Sequence, residues 1–272
     1  MAGLTATAIN RDIVIVRGVD AGEYIQTQFT QDILSLALTE STWSFLLAPK
    51  SEIVALFRVT RSGEDEYILD MDAGWGDTVR QTIDEFLFRM DVSFEQAVWP
   101  GIAWRGGVPD SVGAPIEARV PRGDVDGVDI VGPDVRMPDG AELASPAELE
   151  QARLASEWPA MGREIDGNVT PAMTGLVAET VGFEKGCYTG QEFVARVHYR
   201  GTDPPKRLVR LTFDDDEAVA RGAAIIIEGA EVGHVTSAGR GVALGYLKRG
   251  TETPSNGLVG SVDVRLLATA QR

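Results

Sequence analysis

One cysteine, Cys187, stands in 272 residues. A lone thiol excludes an intrachain disulfide framework and any all-cysteine zinc or iron–sulfur site within the chain, because each needs several thiolates. Cations are scarce as well: 25 Lys and Arg face 41 Asp and Glu, for a formal charge of −16. Phosphate-backbone affinity comes from neutralising Lys and Arg, so direct nucleic-acid binding is not expected. No apolar run approaches the roughly eighteen uncharged residues of a spanning helix, and residues 1–19 place no basic segment ahead of a long apolar one. No membrane association and a cytoplasmic location are therefore expected. What is present is ordinary for a folded chain, with 44% hydrophobic and 24% charged residues, and the length allows two or three units with cores of their own.

The single thiol lies in the densest stretch of the chain, Lys185-Gly186-Cys187-Tyr188-Thr189-Gly190-Gln191-Glu192. Gly186 and Gly190 permit a tight turn or a close approach of backbone to a ligand. Lys185 carries charge that can stabilise a thiolate. The bland alternative is that Cys187 is a small buried hydrophobe. Between Lys185 and Arg210 six cations (Lys185, Arg196, Arg200, Lys206, Arg207, Arg210) and His198 stand against two acids, Glu192 and Asp203. Gathered in a concavity, such cations focus a small anion; spread out, they solvate a strand or pair with acids from elsewhere. Gly190-Gln191-Glu192 opens a helical turn whose free N–H groups can receive an anion.

The octapeptide, with Val194-Ala195-Arg196 after it, resembles the signature of the YgfZ family, folate-binding proteins that assist iron–sulfur cluster assembly or repair and are built like the glycine-cleavage T-protein. Weaker similarity lies at Gln28-Phe29-Thr30-Gln31-Asp32, at Arg163-Glu164 with Thr170-Pro171, and at Pro204-Pro205-Lys206-Arg207-Leu208, and it thins between about residues 99 and 145. The resemblance implies an α+β, T-protein-like fold: ferredoxin-like units around a central channel, with a small C-terminal β-barrel. It implies Cys187 and Lys185 as the reactive pair at the channel rim. Tyr188, Gln191, Glu192, Arg196, Arg163, Glu164 and Asp32 become the candidate contacts of a tetrahydrofolate. No metal site is expected.

Read in order, Ile13 to Val16 is a buried strand. Asp20 and Glu23 have capping-box spacing before an amphipathic helix over about 20–30. Strands at Trp43–Ala48, Ile53–Thr60 and Glu66–Met71 form an antiparallel meander. A helix follows over about Trp75–Arg89, with Val79, Ile83, Phe86 and Leu87 on one face, and then a strand at Asp91–Phe94. Ser145-Pro146 starts a helix that ends before Trp158-Pro159, and another is expected over about Ala172–Glu179. Trp158 is suited to stacking on a flat heterocycle or to packing in the core. Strands at Leu208–Phe213, Ala224–Ile227, Glu231–Ser237, Val242–Leu247 and Val262–Leu266 predict the barrel. The expected units are 1–98, 99–205 and 206–272.

The chain departs from the T-protein at two acids. Ser51-Glu52-Ile53-Val54-Ala55-Leu56 stands where that enzyme's catalytic aspartate follows a Gly-Gly-x-Ile-type segment, and Arg153-Leu154-Ala155-Ser156 puts alanine where a pterin-gripping acid belongs; Glu157 lies two residues on. A methylene-transferring enzyme needs a carboxylate where charge develops. The expectation is therefore a monomeric folate-binding protein that serves iron–sulfur enzymes or their assembly proteins through Cys187. A folate-dependent one-carbon transferase and a non-catalytic scaffold are the alternatives, and whether the chain is an enzyme stays open.

Overall fold

A computed structural model describes residues 3–120, 122 and 126–269. The elements in order are β1 (Thr5–Arg17), α1 (Ala21–Gln28), β2 (Ser41–Leu47), β3 (Ile53–Arg61), β4 (Glu66–Asp72), α2 (Gly76–Glu85), β5 (Ser93–Arg105), β6 (Ile116–Arg119), β7 (Gly127–Val131) and α3 (Pro146–Ala155). Then come α4 (Pro171–Thr174), α5 (Val177–Thr180), α6 (Gln191–Arg200), β8 (Lys206–Thr212), β9 (Ala224–Ile227), β10 (Ala230–Ala238), β11 (Val242–Lys248), β12 (Ser255–Val259) and β13 (Val262–Ala268).

The first seven strands make one antiparallel sheet in the order β2-β3-β4-β1-β5-β7-β6. Its spine is the pairing of β1 with β5, in register from Thr5–Arg105 to Arg17–Ser93. The strand at Asp91–Phe94 is thus the start of a thirteen-residue one, which runs through residue 98 and carries the N-terminal and middle segments into the same sheet. The last six strands close a barrel, β10-β11-β8-β13-β12-β9.

Several local expectations give way to tertiary contacts. Asp20 stands at the N-cap of α1 but its side chain makes no capping bond; its Oδ2 accepts from the Asp91 N–H at 2.7 Å and ties the helix entry to the segment just before β5. α2 stops at Glu85 and leaves Phe86 exposed. The helix expected over 172–179 is two single turns divided by Gly175 at φ 72°; a Cβ there would meet Thr269 Oγ1 at 2.9 Å, so the chain breaks where the barrel's last strand comes close. β12, which holds Asn256-Gly257, is not among the expected strands, yet it pairs into the barrel. A Cβ at Gly257 would lie 2.7 Å from the Ile226 carbonyl, so glycine there permits the approach of β9 that closes the barrel. Ser145 does form a full capping box with Glu148.

The principal core runs from Val14 and Val16 through Phe29, Phe45 and Phe57 to Leu208, Val242, Leu244 and Tyr246, so one face of the barrel is buried in the same apolar mass as the sheet. A second core fills the barrel interior around Val209, Leu211, Ile225, Val235 and Leu266.

Candidate functional site

A cavity of about 390 Å³ lies between α3 and the face of the sheet formed by β1, β5 and β7. That volume is in the range of small-molecule sites. Its floor is an ion network built across five strands. Asp70, fully buried on β4, accepts from Arg11 Nε of β1 at 2.6 Å and pairs with Arg58 Nη2 of β3 at 2.5 Å. Asp129 of β7 accepts from Arg105 Nη1 of β5 at 2.9 Å and lies 3.4 Å from Arg58 Nη1. Strand alternation puts these charges on one face, where each meets its opposite. Burial alone would raise the Asp129 pKa, but Arg105, Arg58 and Arg11 outweigh it and hold the carboxylate below its usual range. Burial likewise opposes the Arg11 charge, and Asp70, Asp72 and Asp129 more than offset it.

The wall opposite comes from α3 and the segment after it. Glu150 accepts from Arg153 at 2.8 Å and from Arg163 at 2.5 Å. Burial raises the Glu150 pKa, and these two arginines reverse the shift so that it lies below the usual value. Trp43 of β2 and Trp158 close one end, with ring centroids 4.7 Å apart and planes inclined at 57°. Arg58 sits over the Trp43 ring at 5.4 Å. The cavity thus offers two indole surfaces and four guanidinium groups (Arg11, Arg105, Arg153, Arg163), each paired with a carboxylate, of which Asp72, Asp129 and Glu150 also line it; Arg163 is half exposed at the rim. Flat heterocycles stack on such rings, and carboxylates pair with such cations.

Of the expected site residues only Arg163 lines this cavity. Glu164 is fully buried behind it: one carboxylate oxygen accepts from Arg153 at 2.9 Å and from the Ala160 N–H at 2.9 Å, and the other from Ser237 Oγ of β10 at 2.6 Å. Its backbone carbonyl accepts from the Tyr246 hydroxyl of β11 at 3.0 Å. Glu164 therefore pins the cavity wall to the barrel, and its oxygens are already committed. Glu157, buried and at φ 55°, pairs with Arg210 at 3.3 Å and does not line the cavity.

The cysteine loop stands apart from it. Cys187 is exposed and is not among the residues lining the cavity. Lys185 does not serve the thiol: its Nζ donates to the carbonyls of Gln26 at 2.6 Å, Phe29 at 2.5 Å and Gln31 at 2.9 Å. These oxygens lie in and just past the last turn of α1, which has no basic residue of its own there. A cation at a helix C-terminus is favourable, so Lys185 caps a helix remote in sequence. Burial lowers its pKa to about 8, against an upward pull from Asp32. Asp32 in turn accepts from Gln26 at 2.8 Å.

Tyr188 is core, and burial pushes its phenol up to about 12. Gly190 is the N-cap of α6 at φ 80°, and a Cβ there would sit 2.8 Å from the Ala48 carbonyl. Gly186 meets nothing within 4 Å, so only one of the two glycines answers to a close approach. Glu192 and Arg196 form an exposed pair one turn apart. The run of cations after Lys185 disperses rather than gathering. Arg207 donates to the Thr251 carbonyl and to Thr253 Oγ1, Arg210 pairs with Glu157, and Lys206 lies over the Tyr246 ring. His198 stacks on Phe183 at 3.7 Å, not on the cysteine loop. Among the described residues no cluster of His, Cys, Asp and Glu could hold a metal ion, and no helix is long and apolar enough to cross a membrane.

Sequence reasoning missed the floor. Arg11 sits at the mouth of an apolar strand, and nothing local says that Asp70, Arg105 and Asp129 will meet it. The Glu150–Arg153 spacing is a visible i,i+3 signal, but it reads equally as a solvated face.

Comparison with known proteins finds relatives in both sequence and structure. Residues 206–253 match the glycine cleavage T-protein C-terminal barrel domain. The chain is 25% identical over 236 residues to a mitochondrial iron–sulfur cluster assembly factor IBA57 homolog of Pyricularia oryzae, covering 81% of this chain and 60% of that protein. It is 33% identical over 69 residues to the tRNA-modifying protein YgfZ of Serratia proteamaculans, covering 25% of this chain and 21% of that one. The crystal structure of the glycine cleavage system aminomethyltransferase T from Bartonella henselae superposes with a TM-score of 0.84 at 19% identity, over 98% of this chain and 86% of that chain.

Proposed function

From a chain related to the YgfZ and IBA57 proteins and built on the T-protein fold, we propose a folate-binding protein that supports the assembly or repair of iron–sulfur enzymes. One observation carries the reading: the cavity between the sheet and α3 combines two indole faces with guanidinium groups, the chemistry that receives a flat heterocycle bearing carboxylates. Tetrahydrofolate fits that description. Trp43 and Trp158 would take its ring, Glu150 its amino edge, and Arg163 at the rim its glutamyl tail. When bound, the group supplies a carrier for one-carbon units.

The protein's own residues hold and orient. The floor around Asp70 is fully paired before any ligand arrives, so binding needs no rearrangement of buried charge. The turn at residues 51–52 and the start of β3, where the T-protein's aspartate is absent, contribute nothing to the cavity lining, and aminomethyl transfer is not part of the proposal. Cys187 lies outside the cavity on an exposed loop. In this reading it meets a protein partner, an iron–sulfur enzyme or assembly protein, and does not act on the folate.

Anaerobic calorimetric titration with mono- and polyglutamylated tetrahydrofolate tests the first half. Binding should strengthen with tail length, weaken in Arg163→Ala and weaken further in Trp158→Ala; no detectable heat with either ligand would end the folate reading. In a deletion strain, Cys187→Ser should fail to restore iron–sulfur enzyme activity. Full rescue by that variant would remove the cysteine from the function.

A further inference from the structure

We propose that the groove where α4 and α6 meet the barrel binds a small organic anion with an apolar tail. It shares no wall residue with the cavity beside α3 and is independent of the folate reading. Two cavities adjoin there. One, of about 440 Å³, lies between α4, the start of β8 and the loop after β11; the other, of about 610 Å³, lies between α5 and α6. Ala172, Gly175, Asp203 and Pro204 are walls of both.

The first of them carries uncommitted positive charge. Arg207 of β8 and Arg249, just past β11, line it. Arg207 Nη2 donates to the Thr251 carbonyl and, at 3.0 Å, to Thr253 Oγ1, and Arg249 Nε donates to the Pro204 carbonyl at 3.2 Å. Thr253 and Pro204 are themselves wall residues, so these bonds hold both guanidinium groups at the cavity. Every acceptor they use is neutral: neither arginine pairs with a carboxylate among the described residues, whereas the four beside α3 are all paired. Arg207 Nη1 and both Nη atoms of Arg249 have no acceptor among the described residues. Arg207 is half-buried, where a cation gains most from a counter-ion, and a carboxylate or phosphate matches the guanidinium fork. Asp203 is the one acid among the described wall residues and is exposed. The wall is therefore net positive in a chain of formal charge −16, and its field draws an anion that the rest of the surface repels.

The second cavity supplies the other half of the guest. Val177, Val181, Phe183, Val194 and Val197 line it, and no Lys or Arg does. His198 is stacked on Phe183 at 3.7 Å and forms part of the same wall. An oxyanion head at Arg207 and Arg249 thus has apolar surface next to it for a short hydrocarbon tail, and the volumes are those of small-molecule sites.

The test is calorimetric titration of the whole chain, at fixed ionic strength, with hexanoate, hexyl phosphate, 1-hexanol and acetate. Saturable one-site binding is expected for the first two, the tighter of them identifying the head group. Hexanol and acetate each lack one half of the recognised molecule and should bind at least about tenfold more weakly. Arg249→Ala should weaken hexanoate about tenfold, the effect of one charge-assisted hydrogen bond, and leave hexanol unchanged. Ala178→Trp, at an exposed position of α5 on the apolar wall, should reduce hexanoate to the level of acetate, with the fold verified by circular dichroism. Arg163→Ala, in the other cavity, should change nothing. No saturable binding of either anion, hexanol binding as tightly as hexanoate, binding that either Arg249→Ala or Ala178→Trp leaves untouched, or binding lost in Arg163→Ala would overturn the proposal.

Discussion

Gly190 shows how much of the cysteine motif is architecture. Its φ of 80° and the 2.8 Å distance from a built Cβ to the Ala48 carbonyl leave no room for a side chain. Gly190→Ala should cost about 1–3 kcal/mol in denaturant unfolding, whereas Gly186→Ala, in open space, should cost under about 1 kcal/mol. Equal losses at the two positions would refute that assignment. Lys185 gives a pH signature. Its native pKa of about 8 lies below the ordinary 10.5, so between those values the unfolded chain binds more protons than the native one. The group's contribution to stability therefore rises as pH rises through that window. Measured against Lys185→Met, wild-type stability should climb from pH 8 towards 10, and a flat difference would contradict the burial. The motif was legible as a special stretch, but not as a cap for α1: the three carbonyls come from residues 26–31, and only folding brings them to residue 185.

At the scale of elements, α3 is the clearest success of local reading and Glu164 its clearest limit. Ser145, Pro146 and Glu148 announce a helix start, and the reciprocal cap forms as their spacing requires. Nothing in Arg163-Glu164 announces that the first will line a cavity while the second is fully buried against β10 and β11. Glu164→Ala would leave Arg153 without its buried partner and should cost about 3–5 kcal/mol by thermal or denaturant unfolding. Ser237→Ala removes one hydrogen bond to the same carboxylate, and about 1–3 kcal/mol is expected. A Glu164→Ala variant as stable as wild type would show that the pin between α3 and the barrel holds nothing. The helix expected over 172–179 gives way where a tertiary contact overrides local preference, at Gly175.

For the whole molecule, the shared core is decisive. Leu244 on β11 belongs to the same buried cluster as Phe45 and Phe57 of the sheet, so barrel and sheet should unfold together. Leu244→Ala should lower stability by about 2–5 kcal/mol, displacing by the same amount the transitions followed by far-UV circular dichroism and by tryptophan fluorescence, whose five indoles all precede the barrel. A fluorescence transition left in place while another probe moved would mean that the barrel melts alone.

Sequence alone determined most of the strands and the longer helices, because period-two and 3.6-residue patterns and capping chemistry act between near neighbours. It also marked the Cys187 stretch. Only the tertiary structure decided that β5 would carry two segments into one sheet, that Asn256-Gly257 would form a barrel strand, and that the cavity between α3 and the sheet would lie away from the cysteine. Those outcomes depend on which charges and carbonyls meet across 59 to 159 residues, as Arg11 meets Asp70 and Lys185 meets Gln26. Periodicity carries no information about such meetings, since the energy that fixes them exists only once both partners are buried together.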